Sequence, residues 1–102
     1  MSEFVRAAMR LHILHHAETA PIQSAWMAAE LARHGHKLGP DALPSMLYRM
    51  HADDLLTPEL QMVDARARRV YALTRRGRAV LEQECAALAA LAREVIGPEA
   101  RR

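Results

Sequence analysis

The sequence predicts a mainly α fold with a small β-hairpin, and three observations carry that prediction. Four stretches space their apolar residues at helical intervals, and the last of them is long. Between the third and fourth lie two strand-like runs, Leu55 to Val63 and Arg69 to Leu73, joined by a turn. The second and third helices are separated by so short a turn that they form a helix-turn-helix pair. Three helices, a hairpin and a final helix is the order of a winged helix-turn-helix, here followed by a helix suited to dimerisation. The division expected is a DNA-binding unit over 1–74 and a dimerisation helix over 75–97, both within one compact body.

The first helix is read over residues 3–16. Ser2 is a suitable N-cap, and Phe4, Ala8 and Leu11, joined by Ala7 and Leu14, mark its inward stripe. Thr19-Ala20-Pro21 stops it, because proline disfavours helix for the residue ahead of it. The second helix runs from Gln23 or Ser24 to Arg33, with Met27, Ala28 and Leu31 inward and Gly35 as its stop. Trp26 falls beside that stripe and reads as a core-edge residue covering the junction with the last helix. The third helix spans Asp41 to Asp53, with Asp41 as N-cap and Pro44 in the first turn, where its missing amide is harmless. Leu43, Leu47 and Met50 face inward. Ser45, Tyr48 and Arg49 lie on the other faces, where the second helix of such a pair enters a major groove.

Pro58 marks Leu55 to Val63 as an irregular edge strand. Asp64 to Arg68 is read as turn, and Arg69 to Leu73 as the better strand. Thr74 then caps a helix from Arg75 to about Ile96, ended by Gly97-Pro98. Two features of its start are unusual. Arg75, Arg76 and Arg78 sit at the positive end of the helix dipole with no acid among them, which suggests a bound anion. Gly77 costs about 1 kcal/mol against alanine inside a helix, which is explained if another backbone comes close there. Further along, Leu81, Cys85, Leu88, Ala92 and Val95 form a heptad-like seam, with Val80, Ala87 and Leu91 as a second stripe beside it. That apolar surface is wider than one neighbour requires, so a second copy of the chain is expected to cover the rest.

At 102 residues the chain is one small domain, and its 51% hydrophobic and 25% charged composition is that of a globular protein. The single Cys85 excludes an internal disulfide and fits a reducing, cytoplasmic setting. No apolar run reaches transmembrane length and no signal peptide is visible, so no membrane partner is expected. The net charge of +2 is unevenly placed. Residues 1–64 hold five Lys/Arg against eight Asp/Glu, whereas residues 65–102 hold nine against four. Six of those nine, Arg66, Arg68, Arg69, Arg75, Arg76 and Arg78, fall within fourteen residues that contain no acid. A basic cluster spanning a hairpin and a helix start is a nucleic-acid footprint.

The stretch YALTRRGRAVL, Tyr71 to Leu81, resembles the Y-x-L-T-x-x-G-x-x-x-L signature of PadR-type transcriptional repressors, winged-helix DNA-binding proteins. The resemblance extends back to about Leu11. PIQSAWMAAEL, Pro21 to Leu31, is similar to the family's P-L-x-G-Y-x-I-x-x-x-L, with Ser24 and Ala25 replacing Gly-Tyr. GPDALPSMLYRMHADDLL, Gly39 to Leu56, is similar to the recognition stretch T-L-Y-P-A-L-x-x-L-E-x-x-G-L, with Pro44 at the tyrosine and Asp54 at the glycine. A single C-terminal helix resembles the short subgroup. The resemblance implies repression from a promoter and a small aromatic or planar effector near the dimer interface, with Trp26 as a wall of its pocket.

No phosphate-binding glycine loop and no nucleophile motif is present, so no enzyme and no cofactor is expected. His12 and His16 stand four apart on a helix, a spacing that binds transition metals, with His15, His34, His36 and His51 as further donors. No supporting cysteine or carboxylate pattern accompanies them, and no metal site is assigned. The resulting expectation is a homodimer on a pseudo-palindromic double-stranded DNA operator. Ser45, Tyr48 and Arg49 would read bases, and Arg66, Arg68, Arg69, Arg75 and Arg76 would hold phosphates. Leu81, Cys85, Leu88, Leu91, Ala92 and Val95 would form the dimer seam. The alternatives are a winged-helix module that docks on a protein partner, and a metal-responsive repressor that uses the histidines.

Overall fold

In the computed structural model, which describes residues 1–97, the order of elements is the one the sequence predicts. They are α1 (Glu3–Thr19), α2 (Ser24–Arg33), α3 (Ala42–Ala52), β1 (Leu56–Val63), β2 (Arg66–Leu73) and α4 (Arg75–Val95). No helix among these residues is long and apolar enough to cross a membrane. Pro98, read as part of the last helix's stop, lies outside the described residues.

The core lies where α1, α2 and α3 meet the base of the hairpin. Met9, Ile13, Leu14 and Ala17 of α1 close on Met27 and Leu31 of α2, on Leu43, Leu47 and Met50 of α3, and on Leu55, Leu56 and Leu81. This corrects the stripe read for α1. Phe4 and Ala7 are exposed, and the buried line advances by fours through Met9, Ile13 and Ala17. The helix is apolar around much of its circumference, so periodicity alone leaves the inward line undecided. Ala28 of α2 is likewise exposed rather than inward. The first helix also runs to Thr19, past the stop read at residue 16. Pro21 constrains only Ala20, which is extended at φ −163° and ψ 156°.

Ser2 caps α1 by accepting from the Val5 amide at 3.1 Å. Asp41 does not cap α3: its backbone is already helical and its side chain makes no capping bond. Gly35 ends α2 at φ +88°, as read.

The hairpin is more regular than its sequence suggests. Residues 56–63 and 66–73 pair antiparallel from Leu56–Leu73 to Val63–Arg66, so the turn is Asp64-Ala65 alone. Both turn residues have positive φ, 51° and 63°, which is the tight two-residue turn that suits strand twist. The second strand therefore starts at Arg66, not Arg69. Pro58 does not disrupt its strand, for a reason visible in the pairing. It stands opposite Tyr71, whose N–H and C=O are both directed to Ile22 on the other side, at 2.8 and 2.9 Å. Pro58 thus occupies a position where no ladder amide is needed. The Ile22–Tyr71 bridge also ties the wing to the segment ahead of α2.

Candidate nucleic-acid interface

The inward line of α3, Leu43, Leu47 and Met50, leaves Pro44, Ser45, Tyr48, Arg49 and Ala52 facing solvent. Tyr48 is 72% exposed, although it is aromatic. Arg49 makes no ion pair among the described residues, so its guanidinium is free to form the two-pronged contact that guanine accepts. Pro44 lies in the first turn, where the helix has no internal use for its amide.

The wing carries its arginines on both faces. Side chains alternate along a strand, so Arg66 and Arg68 share one face and Arg69 takes the other. All three are exposed. Across the ladder Arg68 stands opposite Gln61, and Arg69 opposite Leu60.

At the start of α4 the two oddities of sequence separate. Thr74 caps the helix, accepting from the Gly77 amide at 2.8 Å, and its own hydroxyl donates to the Asp54 carbonyl at 2.6 Å. The Thr74 amide donates to the Leu55 carbonyl at 3.1 Å. A Cβ on Gly77 would overlap that same Leu55 carbonyl oxygen, which is the close backbone approach that the glycine predicts. Asp54 takes the left-handed conformation, φ 60°, needed to leave α3 and enter this junction. The arginines do not require a bound anion. Arg76 donates to the Asp53 carbonyl at 3.2 Å, at the negative end of α3, and Arg78 pairs with Glu18 at 3.2 Å. Arg75 remains exposed.

Beyond Leu81, α4 leaves the core. Cys85, Leu88, Leu91 and Val95 are exposed, Leu88 and Leu91 by about half, and Ala92 is half-buried. Beside this seam runs a groove of about 440 Å³ between α1 and α4, lined by Phe4, Ala7, Ala8 and Leu11 opposite Cys85 and Leu88. The apolar line read as inward on α1 is thus one wall of this groove. Arg10 and Glu84 bridge the two helices at its edge.

Trp26 is 49% exposed and lies elsewhere. Its ring meets that of His16 edge-on at 5.2 Å, and it lines a hollow with Pro21, Ile22, Gln61, Val63 and Arg68. That hollow lies between the wing and the α1–α2 turn and shares no lining residue with the α1–α4 groove. The expected place at the junction with the last helix is not the one the fold gives it.

Five histidines gather where α1 meets the end of α2. The His12 ring is 4.9 Å from His34, 6.0 Å from His36 and 6.4 Å from His16, and His15 lies against His16 at 5.0 Å. Burial first, and then repulsion from His34, His36, His16 and His15, lower the His12 pKa. For His16 burial again leads downward, Glu30 opposes it, and His15 and His34 add to the lowering. Among the described residues no group of three or more His, Cys, Asp or Glu side chains is placed so that it could hold a metal ion. Glu30 is the residue that sequence reasoning passed over here. Its spacing of four to His34 was visible, but its approach to His16 depends on how α1 and α2 pack.

Comparison with known proteins gives the fold its family. The model of the transcriptional regulator PadR-like family matches residues 13–83. The transcriptional regulator Rv3488 of Mycobacterium tuberculosis is 53% identical over 97 residues, covering 95% of this chain and 91% of that protein. The crystal structure of the PadR-like transcriptional regulator BC4206 from Bacillus cereus superposes with a TM-score of 0.83 at 19% identity, over 92% of this chain and 93% of that one. A PadR family regulator from Eggerthella lenta superposes at 0.76 with 24% identity, over 91% of this chain and 82% of that one. With a winged helix-turn-helix, a C-terminal helix and a family match across most of its length, the chain belongs to the PadR-like family of transcriptional regulators and is not an enzyme.

Proposed function

We propose that the chain acts in the cytoplasm as a homodimeric repressor, binds a pseudo-palindromic operator in double-stranded DNA, and is released by a small-molecule effector. The observation that carries this reading is the outward face of α3, where Ser45, Tyr48 and Arg49, which has no ion-pair partner among the described residues, stand together over a packed inward face. The wing arginines Arg66, Arg68 and Arg69 and the exposed Arg75 supply phosphate contacts on either side, and Arg76 adds charge from the α3–α4 junction. The seam of Cys85, Leu88, Leu91, Ala92 and Val95, widened by the α1 groove, is the surface that a second copy covers, whereas Leu81, expected in the same seam, is spent on the chain's own core. An effector seated against Trp26 in the wing-side hollow would contact Arg68 directly and so compete with its phosphate contact.

The test is fluorescence anisotropy on DNA from upstream of the chain's own gene. Arg49→Ala is expected to weaken specific binding by about 1–3 kcal/mol while the dimer persists. Unchanged affinity would remove α3 as the reading element. A second reading, a winged helix that docks on a protein, is favoured by exposed Leu60, Met62 and Val63 on the wing. It predicts that no duplex is bound specifically at any salt concentration.

A further inference from the structure

A hollow of about 580 Å³ separates the first half of α1 from α3. The first helix packs on α2, β2 and α4 more than on α3, and the hollow is the gap that remains. One wall is Glu3, Arg6, Ala7 and Arg10, residues three and four apart and therefore on one face of α1. The other is a face of α3 that carries Ser45, Met46, Arg49, Met50 and Asp53. Met50 is buried, and Met46 and Leu38 are half-buried against the core, so these three make an apolar floor. No lining residue is shared with the hollow at Trp26.

Two guanidinium groups face this space from opposite walls. Neither Arg6 nor Arg49 has an ion-pair partner among the described residues, whereas Arg10 is committed to Glu84. Two acids also line the hollow, one turn outside the arginines. Glu3 stands in the first turn of α1, where the positive end of the helix dipole favours it. Asp53 caps α3, and the Arg76 guanidinium donates to its carbonyl. Each acid thus has positive charge of its own, and neither is ion-paired to Arg6 or Arg49.

We propose that this hollow binds an amphipathic carboxylate with a flexible acyl body, such as a medium-chain fatty acid. Arg6 and Arg49 hold the headgroup, and Met46 and Met50 lie beneath the chain.

The lining selects that class. Guanidinium groups present paired N–H donors in the geometry a carboxylate accepts. The volume falls within the range of small-molecule sites. From Glu3 to Arg10 the α1 wall runs about 10 Å, the reach of a medium-length chain rather than a compact ring. No aromatic side chain lines the hollow, so a planar ligand finds nothing to stack on. Methionine is the unbranched side chain that adapts to a flexible apolar partner. Arg49 also belongs to the proposed base-reading face, so a carboxylate seated on it takes the donors that guanine would use. That consequence rests on the DNA-binding reading; the site itself does not, and it is tested without DNA.

The experiment titrates decanoate, below its micellar concentration, into the full chain carrying ¹³C-methyl methionine. Saturable shifts of the Met46 and Met50 methyl resonances, with one ligand per chain, are expected. Arg6→Gln and Arg49→Gln should each weaken binding by about tenfold or more. Both residues are exposed, and circular dichroism checks that the variants are folded. Decanol, which lacks the charge, and inorganic phosphate, which lacks the chain, should each bind at least about tenfold more weakly. Absence of saturation overturns the proposal. So do shifts confined to Met27 or Met62, which would place the ligand elsewhere, and wild-type affinity in the Arg6→Gln/Arg49→Gln double variant.

Discussion

At position 77 an added methyl group would overlap the Leu55 carbonyl oxygen and crowd the end of the Leu73 side chain. Helix propensity argues the other way, since alanine is favoured over glycine by about 1 kcal/mol inside a helix. The overlap is with backbone already bonded to Thr74, so it cannot relax cheaply. Gly77→Ala is therefore expected to lower stability by about 1–3 kcal/mol, seen as an earlier urea midpoint at unchanged slope. A raised midpoint would show that the junction yields. This glycine was legible in sequence, because it stood in a helix where nothing local required it. Phe4 was not, since a large apolar residue near the start of a helix reads as core whether it faces inward or toward a second chain.

Among the elements, the wing shows best where sequence reading stops. The left-handed turn at Asp64-Ala65 carries no glycine or asparagine, so the strand beyond it looked shorter than it is. Pro58 looked disruptive, yet it is tolerated because its partner, Tyr71, is committed to Ile22 by a contact only the fold reveals. The corrected register brings Arg66 into the strand and places Arg68 and Arg69 on opposite faces of a two-stranded ribbon. A ribbon entering a groove has phosphates on both sides, so each face can neutralise one of them. Replacing Arg68 and Arg69 together by alanine should flatten the plot of log affinity against log salt by about 0.9 for each phosphate no longer neutralised. An unaltered slope would place the ribbon away from DNA.

For the molecule as a whole, the proposed assembly rests on the final helix. Its first two turns are consumed by the core through Gly77 and Leu81, and the remaining turns carry Leu88, Leu91 and Val95 into solvent. A width of apolar surface greater than one neighbour needs was legible in the heptad-like spacing. Which helix of the same chain lines its edge was not, because that depends on the side of α1 the core takes. Leu88→Glu with Leu91→Glu is expected to convert a dimer to a monomer in sedimentation equilibrium, since each carboxylate would be buried without a partner. A double variant that remains dimeric would exclude this seam. The monomer should also lose tight operator binding, having a single α3 to offer.

The junction of Asp54, Thr74 and Gly77 would give the proposed dimer a further property. It binds the end of α3, the root of the wing and the first turn of α4 at one point, with no linker between strand and helix. Each helical residue advances the helix by about 100° around its axis. One alanine inserted between Glu82 and Cys85 would turn the seam by more than a quarter of a revolution, and both subunits would still fold. Their two α3 helices would then meet the duplex out of phase. On the homodimer reading, the distance and angle between half-sites would in this way be stored as the setting of a single elbow, and the operator's geometry would be a shadow of one N-cap.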